Sequence, residues 1–146
     1  MKKIEIATLQ IDTAIDLYFE GNYACSITLA GAAEELLGTI LSHTGELTIL
    51  AELHPWYREK YSTNISYSEL SKGVNEVRNE LKHSHTNPDL EFDVEVTAPH
   101  AMQMLQRAVI NYLRACSAHT EKMYSFKEYV EKNYDNVFAE WNVERL

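Results

Sequence analysis

The sequence predicts an all-α fold: an up-and-down bundle of four main helices plus short extra helices, in a single domain over residues 1–146. Three observations carry this. There are only five Gly and three Pro, too few for the many turns of a β fold. Apolar residues recur three and four positions apart along most of the chain, the period of an α-helix and not of a strand. Hydrophobic residues make up 45% of the chain, enough to bury a core without disulfide or metal staples.

The elements follow in order. Ile4, Ala7, Ile11, Ala14, Ile15 and Tyr18 form the apolar stripe of a first helix. Gly21 suits the left-handed residue that ends it, and Asn22 suits the cap of the next helix. Gly21-Asn22 therefore reads as a tight turn between antiparallel helices. The second helix is expected over residues 23–43, with Leu29, Ala33, Leu36, Leu37, Ile40 and Leu41 as apolar positions. Ala30, Glu34, Leu37 and Leu41 share one stripe, which sets an acid on a partly apolar face. A short helix is expected over residues 47–53, broken by His54-Pro55-Trp56 because proline disfavours helical geometry in the residue before it.

Ser66-Tyr67-Ser68-Glu69 matches a capping box, with Ser66 as the cap and Glu69 reaching back to it. It opens a third helix whose core stripe is Leu70, Val74, Val77 and Leu81. Residues 84–97 read as a loop, with an alternating and so extended tail over residues 90–96. Ala98-Pro99 opens a fourth helix, with Met102, Leu105, Val109, Tyr112, Leu113 and Cys116 on its apolar face. A second capping box, Ser125 to Glu128, is expected to open a last helix carrying Phe126, Val130, Tyr134, Val137 and Trp141 along one side.

The charge balance is 13 basic against 22 acidic residues, a net of −9. Such a surface keeps a domain soluble and on average repels polyanions, so wholesale coating of nucleic acid is disfavoured and only a local basic patch remains open. Cys25 and Cys116 form no Cys-x-x-Cys pair and read as small buried hydrophobes. The opening residues lack the apolar run of a secretory signal. No run reaches the roughly 20 apolar residues that span a bilayer. The expectation is a cytoplasmic protein with no membrane partner.

One stretch stands out: Arg78-Asn79-Glu80-Leu81-Lys82-His83. At ~100° per residue, Arg78 lies beside the core stripe, while Asn79 and His83 share a face roughly opposite it. Arg78 and His83 do not converge on an ideal helix. They meet if the helix loosens at its end, or if a second subunit brings its own copy alongside. The chemistry is that of phosphate handling. Arg presents a planar, permanently charged fork. His moves protons near neutral pH, and its cation is favoured at a helix C-terminus. Asn can orient either group or bind a ribose hydroxyl. Lys72, Arg78, Lys82, His83 and His85 form the most basic neighbourhood in the chain. The plain alternative is a solvated helix face.

This Arg-Asn-x-x-x-His run resembles the HEPN superfamily, as do the helical pair around Gly21-Asn22-Tyr23 and the segment Ala30-Gly31-Ala32-Ala33-Glu34-Glu35-Leu36-Leu37. That family's motif is an Arg followed, after about four to six residues, by a His, often with a polar residue next to the Arg. The match falls on Arg78, Asn79 and His83, and His85 also satisfies the looser spacing. The resemblance implies a metal-independent endoribonuclease without cofactor, of the kind found among toxin–antitoxin toxins and defence components. It acts by attack of a ribose 2′-OH on the adjacent phosphorus. His83 would be the general acid or base, Arg78 would stabilise phosphoryl charge and Asn79 would position either. Glu34 would orient Arg78, or alternatively be a buried acid paired for structure. Lys82 and His85 would support the site. The resemblance further implies a homodimer building a shared cleft, an RNA substrate, and an antitoxin or nucleotidyltransferase-type partner. The other branch of the family's uses is a non-catalytic module for dimerisation, nucleotide binding or protein interaction.

Other chemistry finds less support. Glu80-x-x-His83 has the spacing of a di-iron helix, but one copy is present where such a site needs two. His83-Ser84-His85 has no convincing further ligand, so no metal site is expected. No nucleophile motif and no Gly-rich phosphate loop occurs. Arg107, Asn111 and Arg114 share a stripe of the fourth helix that would extend a phosphate-binding surface or be a solvated flank. Tyr57, Tyr61 and Tyr67 would stack on bases or pack ordinarily.

Overall fold

The computed structural model describes residues 1–84 and 86–133. They form seven helices and no strand: α1 Lys3–Phe19, α2 Tyr23–Thr44, α3 Ile49–Lys60, α4 Tyr67–Val74, α5 Glu76–His83, α6 Ala98–Cys116 and α7 Glu121–Asn133. The all-α bundle is as the periodicity predicts.

α2 is the central helix, packed chiefly against α1 and α6. The turn into it is the expected one. Gly21 takes φ +80°, and the Asn22 side chain accepts the Cys25 N–H at 3.4 Å. Across the α1–α2 seam, Ser26 Oγ donates to the Ala14 carbonyl at 2.8 Å, so this buried hydroxyl is satisfied. Ala7, Ile11, Ala14, Ala30, Ala33 and Leu37 are fully buried in that seam, the small residues letting the helices approach closely. Thr8 Oγ1 and Tyr112 Oη, 2.8 Å apart, tie α1 to α6. α7 covers α1 with Met123, Phe126 and Val130 and is anchored by Thr120 Oγ1 donating to Asp12 at 2.7 Å.

Several elements depart from expectation, each for a local reason. α3 runs through Pro55, although the proline removes one helical hydrogen bond. Burial overrides the break: Trp56, just past the proline, packs with Ile49, Leu53 and Ile110. The third helix is two helices, α4 and α5, divided at Asn75, whose φ −105° and ψ 6° leave the helical region. Asn75 is 6% exposed, and its side chain is drawn inward as an acceptor for Arg107. α7 starts at Glu121, with Thr120 Oγ1 accepting the Met123 N–H, so Ser125 lies inside the helix and caps nothing. Tyr134, Val137 and Trp141 lie outside the described residues.

Residues 90–96 form no strand. Cys25 is exposed, not buried, while Cys116 is half-buried. α2, at 22 residues and with an 18-residue stretch of mean hydropathy 1.3, is long and apolar enough to cross a bilayer by length and composition alone. It carries Glu34 and Glu35 near its middle and serves as the core helix of the bundle.

Candidate functional site

Glu34 is the hub of the site. It sits on the buried face of α2, 8% exposed, where an unpaired carboxylate would be costly. Two guanidinium groups reach its Oε2: Arg78 Nη1 from α5 at 3.5 Å, and Arg107 Nη2 from α6 at 3.7 Å. Arg107 is 1% exposed. It also donates to the Asn75 side chain and to the Val74 carbonyl, and its Nη2 lies 3.2 Å from Met104 Sδ. Burial pulls the Arg107 pKa below its ordinary value, Glu34 opposes that pull, and Arg78 adds to it. The group stays charged because guanidinium is too basic to give up its proton in a protein.

Arg78 lies across α2 directly over Gly31. A Cβ at Gly31 would fall 2.5 Å from Arg78 Cδ and 3.0 Å from Cγ. Only a bare backbone admits the side chain there. The Arg78 fork is held at both ends, with Nη1 on Glu34 and Nη2 donating to Asn79 Oδ1 at 3.3 Å. Its Nε is buried with no partner. Two cations thus share one carboxylate, leaving one positive charge in excess in a chain that is acidic overall.

His83 is the last residue of α5 and is exposed, with the left-handed Ser84 (φ 49°) closing the helix behind it. On the regular helix α5 it lies roughly 140° around from Arg78, so one chain does not bring the two to a common point. Asn79 is half-buried and touches Arg78. Lys82 is exposed and pairs with Glu35 at 3.6 Å. His85 lies outside the described residues. Glu80 accepts from Thr86 N at 2.9 Å and Thr86 Oγ1 at 2.7 Å, so this carboxylate fastens the following loop.

Arg107 and Asn111 do not extend a phosphate-binding surface, nor are they a solvated flank. Both are interior groups: Asn111 is fully buried and its Oδ1 accepts the Ile49 N–H at 3.0 Å, capping α3 from within. The fourth-helix stripe turns inward because α3 and the Asn75 break pack over it. Arg114 likewise donates to the Leu47 carbonyl at 2.9 Å and pairs with Glu52. Tyr57 and Tyr61 pack on each other with ring centroids 4.6 Å apart, and Lys60 Nζ lies 4.9 Å from the Trp56 ring centroid. Trp56, Tyr57 and Tyr61 border an apolar hollow of about 60 Å³ with Leu50, Leu53 and Leu70, while Tyr61 and Tyr67 are 47% and 43% exposed.

Sequence reasoning missed Asn75, whose role depends on an arginine 32 positions away. It also missed His100 and Gln103, which line a depression of about 340 Å³ together with Arg78. Pro99 marks the first turn of α6 in the sequence, but nothing local says that this turn docks beside α5.

The chain matches no family model, no curated protein and no solved structure.

Proposed function

We propose that this chain is a metal-independent endoribonuclease of the HEPN type, working without a cofactor as a homodimer in the cytoplasm. The observation that carries the reading is Arg78: a guanidinium pre-oriented by Glu34 and Asn79, on a helix that ends in an exposed histidine. A fork fixed before substrate arrives costs no reorganisation when charge develops on a phosphoryl group. In the reaction the 2′-oxygen attacks phosphorus, the 5′-oxygen leaves, and a cyclic phosphate forms. His83 takes the 2′-proton or supplies the proton to the leaving oxygen. Arg78 and His83 diverge on α5, so the working pair is Arg78 of one chain with His83 of a second, and Lys82 adds positive charge at the shared edge. A toxin–antitoxin or defence setting, with an antitoxin or nucleotidyltransferase-type partner, fits such an activity.

A second reading is a non-catalytic module for dimerisation, nucleotide binding or protein interaction. The divergence of Arg78 and His83 favours it, as does the structural engagement of Arg78 with Glu34. Incubating the pure protein with mixed RNA in excess EDTA separates the two, alongside folded Arg78→Ala and His83→Ala variants. Cleavage leaving cyclic-phosphate ends, lost in both variants, supports the nuclease. A folded dimer that leaves every RNA intact supports the module.

A further inference from the structure

Between α5 and α6 the chain presents Leu90 at 98% exposed, the most exposed large hydrophobe among the described residues. The loop that carries it is pinned. Asp89 N–H donates to Asn87 Oδ1 at 2.9 Å, Glu91 N–H to Asp89 Oδ1 at 3.0 Å, and Phe92 N–H to the Asp89 carbonyl at 3.1 Å. Glu80 fastens the start of the loop through Thr86.

Past this turn the chain runs extended. Val94 and Val96 are half-buried, with Val96 against the core, while Asp93 and Glu95 are exposed. Alternating exposure is the signature of extended backbone, whose successive side chains point to opposite faces. Thr97 continues the run with φ −123° and ψ 164°. Yet no backbone N–H or C=O of residues 93–96 is hydrogen-bonded to another described residue. The run forms no strand because a strand requires a partner. An extended segment with unpaired N–H and C=O groups is a template for pairing with a further chain.

The side chains select the partner. Asp93 and Glu95 share one face, with Glu91 just before them, and Phe92, Val94 and Val96 fall on the other by register. A second copy of the same run would set acids opposite acids, which is destabilising. A polyanion is repelled by the same charges. A strand alternating cationic and aliphatic residues meets both faces: its cations lie opposite Asp93 and Glu95, and its aliphatic groups cover the valines and Phe92, itself 41% exposed.

We propose that residues 92–96 take up an added strand from a partner protein, an extended segment in which lysine or arginine alternates with aliphatic residues. Main-chain hydrogen bonds supply the affinity and the alternating side chains supply the selectivity. The surface uses no residue of the Arg78 site and is independent of both readings of that site.

The test uses the intact chain, labelled for NMR, and three end-blocked hexapeptides. The first alternates lysine and valine. The second has the same composition with the three lysines first and the three valines after. The third is the alternating peptide with N-methyl groups on alternate amides, placed in turn on each edge, so that one edge cannot donate. The alternating peptide is expected to slow amide exchange at alternate residues within 92–96, the pattern of a newly paired strand. It is expected to bind about tenfold tighter than the block peptide and than the methylated form that blocks the pairing edge. Asp93→Lys with Glu95→Lys changes two exposed side chains. The double variant, with its helical amide signals unchanged, is expected to bind the lysine peptide about tenfold more weakly and to take up an alternating glutamate and valine peptide instead.

Amides of 92–96 that exchange as fast with the alternating peptide as without it overturn the proposal. So does equal binding of the alternating, block and methylated peptides, which would show attraction to the acidic surface without strand pairing.

Discussion

Gly31→Ala moves Arg78 without touching its chemistry, and its energetics can be worked out from the contact geometry. In a helix interior Gly→Ala ordinarily stabilises by about 0.8–1.0 kcal/mol. At Gly31 the new Cβ lands 2.5 Å from Arg78 Cδ, where ordinary contact needs about 1 Å more. The aliphatic stem must shift by that amount, which draws the guanidinium away from Glu34, now 3.5 Å distant, and from Asn79. Loosening a mostly buried charged contact costs about 1–3 kcal/mol. The two effects oppose each other, and the net change in the wild-type background is a loss of about 0–2 kcal/mol.

In an Arg78→Ala background the clash is gone, and the same substitution gains its ordinary ~0.8–1.0 kcal/mol. Urea unfolding of the four proteins in this cycle therefore yields a coupling energy of about 1–3 kcal/mol, well outside the ~0.5 kcal/mol expected of independent sites. Equal stabilisation by Gly31→Ala in both backgrounds would refute the close approach of Arg78 to α2. With it would go the claim that the sequence holds this arginine in place.

Other consequences are simpler. Arg107→Met strands the Glu34 carboxylate on one partner and leaves Asn75 without its donor; it is expected to lower stability by about 3 kcal/mol in urea unfolding. Asn111→Ala leaves the buried Ile49 N–H unpaired at the start of α3 and opens a small cavity, with an expected loss of about 2–3 kcal/mol and a selective rise in amide exchange along α3. The Ser66 backbone N–H, and after it the Ser66 hydroxyl, hold the Glu69 carboxyl below the ordinary carboxylate range. Such a group stabilises fully above its unfolded pKa and loses that contribution as pH falls through the lowered folded value. Glu69→Gln is therefore expected to narrow the difference in melting temperature between neutral pH and about pH 3.

The helices were legible because their signals are local. Ile11, Ala14 and Ile15 announce the buried face of α1 by spacing, Gly21-Asn22 announces the turn, and Ser66 with Glu69 announces a helix start. Pro55 and Asn75 show where local reading stops. Trp56 carries α3 past a proline because Ile110, more than fifty residues on, gives it a place to bury. Asn75 interrupts a continuous apolar stripe because Arg107 takes its side chain.

The site divides the same way. Arg78 and Asn79 were named from residue type and spacing and Glu34 through the family resemblance, and the fold brings these three together. Arg107 and Asn111 looked like a surface because helical spacing gives which residues share a face, not what covers it. His100 gave no signal at all, since its only neighbours in sequence explain it as a helix cap.

The central claim is that Arg78 and His83 act together across two chains, and mixing subunits tests it most directly. Folded Arg78→Ala and His83→Ala proteins, each inactive on RNA in EDTA, are combined under conditions that exchange protomers. Each mixed dimer then holds one site with both groups intact and one with neither. Recovery of cyclic-phosphate-forming cleavage, up to about a quarter of the wild-type rate from a statistical mixture, is the expected result. Cleavage by the wild type with no recovery on mixing would contradict the shared site and place the working pair within a single chain.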